Sequence, residues 1–297
     1  MIILILVMMC VCFSSANTLP FDQFHHLLNK AENISPDEQQ EIKSLFRDLF
    51  FYDVFAYSLF GDKPLSISRA ILNSASQIDK LKLLSLDGYC FSILEHYCEP
   101  STHLKKKWET WCKYKDAFQT KKYFLFQKKI GSQIRLFIIN KAAFLRTVNE
   151  HFTLFRHIIG PKFSAENLLE EMKKEDTDVF DILHHHEGLL GILLGFGKRN
   201  SMLFQKREDL IHSLGKDLRK PDMINNQIEF LNHKLKALHE HDACIISSIN
   251  RIGFSADPTH LETIQIRNKY DQLNRKINHI YSKEDWFEQT LIQFISN

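Results

Sequence analysis

The stretch that decides the fold is 224-INNQIEFLNHKLKALHEHDACIISSI-249, together with 266-IRNKYDQLNRKINHI-280 further along the chain. In both segments apolar residues recur at alternating intervals of four and three, which places them on one face of a helix. Between the segments, Gly253 suits a left-handed helix end and Asp257-Pro258 suits a new helix beginning. The pattern predicts two long helices packed as an antiparallel hairpin.

This hairpin, residues 216–297, is expected to pack as the edge of a bundle on the same core as the residues before it. The alternative is a docking or dimerisation arm, which makes the C-terminal helical hairpin the predicted site for a protein partner.

Helical patterns also dominate residues 17–215, which are expected to form a mainly helical domain with a small β element. Ser35-Pro36-Asp37-Glu38 combines an N-cap serine, a proline at the first helical position and a glutamate that reaches back. The apolar stripes expected to form core are Ile42, Leu45, Phe46, Leu49 and Phe50; Leu83, Leu86, Cys90, Ile93 and Tyr97; Leu104, Trp108, Trp111 and Phe118; and Leu145, Val148, Phe152, Phe155 and Ile159.

Two places favour strands. Val54 to Phe60 and Leu65 to Ser68 flank a turn-forming stretch and are predicted to pair as a short hairpin. Tyr123 to Gln127 and Ile134 to Ile139, separated by a stretch containing Gly131, are predicted to pair likewise. The predicted fold class is therefore mainly α: a helical bundle with one or two short β-hairpins and a C-terminal antiparallel helical hairpin.

The N-terminus resembles a secretory signal peptide over residues 1–16. The unbroken apolar run Ile2 to Phe13 is followed by Ser14-Ser15-Ala16, although no Lys or Arg precedes the run. At ~1.5 Å per residue the run falls short of the ~30 Å hydrocarbon core and is a poor membrane span. No other apolar run reaches the ~18 residues that a membrane helix needs, so no stable membrane span is expected after cleavage. The sequence predicts export to the periplasm, cell envelope or medium; a buried N-terminal element and an uncleaved tether are the alternatives.

Composition sets limits on the partners. The 297 residues are 44% hydrophobic and 25% charged, with a formal charge of +2, so no nucleic-acid partner is expected.

Outside the leader the cysteines are Cys90, Cys98, Cys112 and Cys244. No Cys-x-x-Cys pair occurs, which disfavours zinc and thioredoxin-type chemistry, while a bridge between distant cysteines stays open.

A histidine cluster, His184-His185-His186-Glu187, invites a metal-site hypothesis. Consecutive side chains on a helix point ~100° apart, so three adjacent histidines on a helix cannot close on one ion. Metalloprotease spacing is absent as well. A polar helix face or hydrogen-bonded histidines are favoured over a metal site, and no metal or cofactor is predicted.

Gly195-Phe196-Gly197-Lys198-Arg199-Asn200-Ser201 follows an apolar segment. Its glycines, cations and helix start could gather backbone N–H groups around an anion. The simpler interpretation is that glycine ends one helix and Asn200 or Ser201 caps the next. The spacing matches neither the phosphate loop nor the dinucleotide fingerprint.

Two blocks of sequence resemble a set of uncharacterised exported proteins from chlamydia-like intracellular bacteria. The first block is 57-YSLFGDKP-64 and the second is 186-HEGLLGILLGFGKRNS-201, with Ile139-Asn140-Lys141 similar as well. The resemblance runs from about Phe21 to Ser213 and leaves the C-terminal hairpin outside. It implies a bacterial envelope or host-facing destination, and it brings no known activity, cofactor or catalytic residue.

These observations favour a non-enzymatic exported protein that contributes a binding or scaffold surface, since no Gly-x-Ser-x-Gly elbow or kinase motif occurs. The alternative is a hydrolase or transferase of unrecognised type, with a pocket where the two blocks converge. The candidate pocket residues are Asp62, Lys63, Glu187, Gly195, Gly197, Lys198, Arg199 and Asn200.

Overall fold

The computed structural model describes residues 34–72, 103–118, 120–214, 221–238, 252 and 254–296. The predicted signal peptide and the stripe Leu83 to Tyr97 lie outside the described residues, as do Cys90, Cys98 and Cys244. Cys112 is an unpaired, half-buried thiol.

The chain is mainly helical, with a small three-stranded antiparallel sheet. The elements in its first half are α1 Pro36–Phe46, continued by a π turn Arg47–Phe51; α2 Phe55–Leu59; β1 Leu65–Ile71; α3, residues 103–114, continued by a 3₁₀ turn Lys115–Phe118; β2 Tyr123–Ile130; and β3 Gln133–Asn140. Those in its second half are α4 Lys141–Glu150, α5 Phe152–Ile159, α6 Ala165–Lys173, α7 Val179–Ile182, α8 Glu187–Leu193, α9 Lys198–Leu214, α10 Pro221–Lys234, β4 Lys236–Leu238, β5 Phe254–Ala256, α11 Leu261–Tyr281 and α12 Trp286–Ile295.

The beginning of α1 is a capping box, as predicted. The Ser35 hydroxyl accepts a hydrogen bond from the Glu38 amide at 3.3 Å, and the Glu38 carboxylate accepts from the Ser35 amide at 3.2 Å. The predicted apolar face of α1 and its π turn is buried throughout. Local capping chemistry therefore places this helix correctly from sequence.

One of the two predicted hairpins is confirmed. β2 and β3 pair in antiparallel register around Gly131, whose φ of +57° suits the tight turn. The other is wrong, because Phe55–Leu59 is the short helix α2 and β1 pairs with β3 instead. All five α2 residues are buried, and a run that is buried on every side shows no alternation to separate strand from helix.

The sheet lies between two apolar cores, because β3 alternates its side chains between them. Leu136 and Ile138 face the core formed with α1, α2, α3, α11 and α12, whereas Phe137 and Ile139 face the core formed with α4 to α8. Helices therefore cover both faces of the sheet.

The C-terminal region departs from the predicted pair of long helices. The helix α10 ends at Lys234, and Lys236–Leu238 pairs with Phe254–Ala256 as a two-stranded sheet, so a continuous helix to Ile249 is wrong. Residues 239–251 lie outside the described residues. The predicted second helix is found as α11, whose Tyr270, Ile277 and Ile280 are buried. The arrangement of α10 and α11 as one antiparallel hairpin stays a prediction.

Among the described residues, no helix combines the length and the apolar character that a membrane crossing requires.

Candidate functional site

The two blocks meet in space. Pro64 of the first block lies 3.5 Å from the position that a Cβ on Gly195 of the second block would take. Tyr270 of α11 joins the same blocks, because its hydroxyl donates to the Gly195 carbonyl at 3.1 Å and its ring centroid lies 5.7 Å from that of Tyr57. Asn140, the N-cap of α4, also donates from its side chain to the Gly61 carbonyl at 3.2 Å.

A cavity of about 440 Å³ lies at this junction, within the usual volume range of small-molecule sites. Its lining residues come from both blocks, from the sheet and from the segments around them. They are Val54, Lys63, Ile67, Arg69, Ile130, Gln133, Arg135, Phe180, Leu190, Leu194, Phe196 and Ile252. We call this space the Lys63 cavity.

Three of the residues that line the Lys63 cavity are basic, and none of the described lining residues is acidic. Arg135 is held by neutral acceptors: its Nε and Nη2 donate to the Gln133 side-chain oxygen at 2.9 and 2.6 Å, and its Nη1 donates to the Ser68 carbonyl at 3.1 Å. Burial lowers the pKa of Arg135, with Asp53 acting in the opposite direction. Among the described residues, neutral acceptors therefore fix the guanidinium in place, and no carboxylate contacts it directly.

Asp53 lies behind the cavity and is 5% exposed. Its two carboxylate oxygens accept from the Val54 amide at 2.8 Å and the Arg69 amide at 2.7 Å. Burial raises the pKa of Asp53 to about 6, although Arg69 and Arg135 favour the charged form. Near neutral pH the carboxylate offsets part, but not all, of the positive charge around the cavity.

Lys63 is 1% exposed, and its Nζ donates to the Leu65 carbonyl at 2.5 Å. The Nζ also lies 5.6 Å from the ring centroid of Phe196, in the range of a cation–π contact. Burial lowers the pKa of Lys63 to about 7, with Asp53 acting in the opposite direction. The predicted pocket residue Lys63 therefore lines this cavity.

Most of the other lining residues are apolar, and three of them come from the second block. These three are Leu190, Leu194 and Phe196, and the Phe196 ring stacks on Phe254 with centroids 4.8 Å apart. The cavity therefore combines fixed positive charge with an apolar surface, which suits an organic anion.

The glycine-rich turn of the second block does gather N–H groups around an anion, and that anion is part of the chain. The amides of Lys198 and Arg199 each donate to the Glu262 carboxylate at 3.0 Å. Gly197, with φ +84°, allows the approach, because a Cβ there would lie 2.7 Å from the Glu262 carboxyl carbon. The Glu262 carboxylate therefore occupies the place where the sequence suggests that an external anion could bind.

Asn200 is buried inside the first turn of α9, so the expectation that Asn200 or Ser201 caps the helix is wrong. Its amide nitrogen donates to the Phe196 carbonyl at 3.0 Å. Its oxygen accepts from the Asp257 amide at 3.2 Å and the Thr263 hydroxyl at 3.1 Å. Asn200 therefore joins the second block to the residues before and within α11.

The other charged candidates do not line the Lys63 cavity. Asp62 is half-exposed and pairs with Arg146 at 3.2 Å and Lys269 at 2.7 Å. Glu187 begins α8, and burial raises its pKa. The side chains of Lys198 and Arg199 are exposed. Of the five charged candidates, the structure therefore places Lys63 on the cavity and leaves the other four out of its lining.

The histidine cluster is not helical. His184 and His185 have φ of +52° and +56°, and the His186 ring caps α8 by accepting from the Leu189 amide at 3.1 Å. His184 also lines a second cavity of about 590 Å³, whose polar lining includes both acidic and basic side chains. Among the described residues no set of His, Cys, Asp and Glu is grouped closely enough to hold a metal ion.

Sequence reasoning missed Arg69 and Arg135. A sequence signal for them exists, because Arg69 is the one charged residue among the small and apolar residues of β1, and Arg135 is followed by the four apolar residues Leu136 to Ile139. Comparison with protein-family models, curated proteins and solved structures finds no match for this chain.

Proposed function

We propose that this protein is a non-enzymatic binding protein that takes a small organic anion into the Lys63 cavity. The observation that carries the proposal is the lining itself: Lys63, Arg69 and Arg135 together with apolar residues, and no acidic residue among the described lining. Charge-assisted hydrogen bonds to a carboxylate or phosphate hold one end of the ligand, and Leu190, Leu194 and Phe196 take its apolar part.

The proposal is tested by calorimetric titration with hexanoate and with hexanamide, which has nearly the same shape and no charge. We expect hexanoate to bind once per chain and at least about tenfold more tightly, because charge-assisted hydrogen bonds contribute about 1.5–3 kcal/mol. Arg135→Met should remove most of this preference. The matched control is Arg156→Met, which changes an exposed arginine on α5. Equal affinity for the two compounds, or no binding of either, overturns the proposal.

The dispersed charged groups give the enzyme alternative no comparable support. Of the charged candidate pocket residues, Asp62, Lys63, Glu187, Lys198 and Arg199, only Lys63 lines the Lys63 cavity.

We also propose that α10 and α11 contribute a surface for a protein partner. Large apolar side chains are exposed there: Phe230 and Leu261 at 64% and Ile264 at 43%. Cross-linking in native cells tests this surface. We expect the wild-type chain to form a cross-linked product with a partner protein, and we expect Phe230→Asp to abolish that product. A cross-linking pattern that Phe230→Asp leaves unchanged contradicts it.

We propose export as the setting of this function, on the strength of the predicted leader and the resemblance of the two blocks. N-terminal sequencing of the protein from native cells should begin at Asn17, and a chain that keeps Met1 in the cytosol contradicts export.

A further inference from the structure

We infer that the Lys63 cavity also holds ligands covalently: Lys63 forms a reversible imine with small organic anions that carry an aldehyde or ketone. This inference rests on the proposed function, because the anion has to enter the cavity before its carbonyl reaches the amine.

The surroundings of the Lys63 amine distinguish it from an ordinary buried lysine. A lysine ammonium offers three donors, and Leu65 O is the one hydrogen-bond acceptor found for Nζ among the described residues. Lys128, also buried, donates instead to three acceptors: the carbonyls of Glu171 and Lys174 and the hydroxyl of Thr177. Lys128 is therefore a structural cation, whereas Lys63 has bonding capacity left and lines a cavity.

Its protonation favours reaction as well. With a pKa of about 7, a large fraction of Lys63 is a neutral amine at neutral pH, with a lone pair for attack. A solvent-exposed lysine, with a pKa near 10.4, is almost entirely protonated there. Because Lys63 is 1% exposed, a reagent reaches it by occupying the cavity rather than from bulk solvent.

The covalent step is balanced without a further reactant. The neutral amine attacks the carbonyl carbon, the carbonyl π electrons move to oxygen, and one proton passes from nitrogen to that oxygen to give a carbinolamine. Loss of the hydroxyl group and the second amine proton, together as water, forms the C=N bond. Addition of water reverses the step, and no oxidant or reductant takes part.

The separation of the charged groups indicates the class of anion. Lys63 donates to the Leu65 carbonyl and Arg135 donates to the Ser68 carbonyl, three residues further along β1. At ~3.3 Å per residue, Leu65 and Ser68 lie at most roughly 10 Å apart along the strand, because β1 is irregular between Ile67 and Ile71. An anion that reaches both groups therefore carries its acid and its carbonyl at opposite ends of a short chain.

The test is borohydride reduction of the full-length chain with glyoxylate, succinic semialdehyde or 6-oxohexanoate, followed by peptide mass mapping. Borohydride converts an imine into a stable secondary amine. We expect 6-oxohexanoate to label Lys63 at least tenfold more than glyoxylate does, and excess hexanoate to suppress the labelling. Hexanal, which lacks the acid, should label Lys63 weakly, and 6-hydroxyhexanoate, which lacks the carbonyl, should not label it. Lys128 is the matched control in the same digest and should remain unmodified.

The outcomes separate this inference from the proposed function. If hexanoate binds and Lys63 stays unmodified, the imine is wrong and anion binding stands. If hexanoate does not bind and labelling is spread over surface lysines, both are wrong. Labelling of Lys63 that hexanoate does not suppress also overturns the inference. Because the wild-type chain is mapped, the result does not depend on whether a Lys63 variant folds.

Discussion

Removing the Glu262 carboxylate should remove two hydrogen bonds that join the beginning of α9 to α11. In the structure this carboxylate accepts from the Lys198 and Arg199 amides at 3.0 Å each. Loss of a helix-capping acceptor costs about 0.5–2 kcal/mol. Two bonds are lost but both are exposed, so Glu262→Ala should lower the free energy of unfolding by about 1–2 kcal/mol.

Thermal unfolding followed by circular dichroism measures this effect. For a domain of this size the expected fall in Tm is about 2–8 °C. Glu229→Ala, which changes an exposed glutamate within α10, is the matched control and should stay within about 0.5 kcal/mol of wild type.

A second measurement tests whether the Lys198 and Arg199 amides, which lose their acceptor in Glu262→Ala, bind an external anion. Sulfate should raise the Tm of Glu262→Ala more than that of wild type, because it can replace the missing carboxylate at the helix N-terminus. Sulfate stabilises proteins in general, so the difference between the two responses is the measurement. If Glu262→Ala is as stable as Glu229→Ala and the sulfate responses match, the internal-cap reasoning is refuted.

Three further substitutions test the junction of the blocks. Because the folded pKa of Lys63, about 7, lies below the ordinary value of 10.5, the unfolded chain binds more protons between these pH values. Wild-type stability should therefore rise by a few kcal/mol, to order of magnitude, from pH 7 toward pH 10.5 in urea titrations, and Lys63→Met should lack this rise. Gly61→Ala places a Cβ against Leu273 and should lower the free energy of unfolding by about 1–3 kcal/mol in the same assay. The control is Gly131→Ala, where the Cβ has open space but φ is +57°, and it should lower the free energy of unfolding by about 1 kcal/mol. Equal losses of stability in the two variants contradict the packing explanation. Asn200→Ala removes hydrogen bonds to three partners, two of them buried, and should cost at least about 2 kcal/mol by chemical denaturation. A loss below about 0.5 kcal/mol contradicts the joining role of Asn200.

The parts of the fold that sequence predicts are those set by local chemistry. Ser35 and Glu38 predict the beginning of α1, because the two members of a capping box are close in sequence. The strands on either side of Gly131 pair because the turn that joins them is short.

The parts that sequence does not predict depend on distant pairing. The spacing of apolar residues by four and three continues past Lys234, which predicts a longer helix. Instead Lys236–Leu238 pairs with Phe254–Ala256, and the spacing of apolar residues gives no information about such distant pairing. Likewise Phe55–Leu59 has strand-like composition but forms a helix buried on all sides.

The candidate site divides in the same way. Lys63 and the glycine turn stand out in sequence and do meet in space. Arg69 and Arg135 reach the cavity only through strand pairing, and Glu262 closes the anion turn from more than sixty residues away. No local pattern connects these residues with the two blocks.

A crystal structure of the protein grown with hexanoate tests the central claim most directly. We expect the carboxylate within ~2.7–2.9 Å of a cationic nitrogen of Arg135, Arg69 or Lys63, and the alkyl chain against Leu190 and Leu194. A Lys63 cavity without hexanoate at saturating concentration, or hexanoate bound elsewhere on the molecule, contradicts the claim.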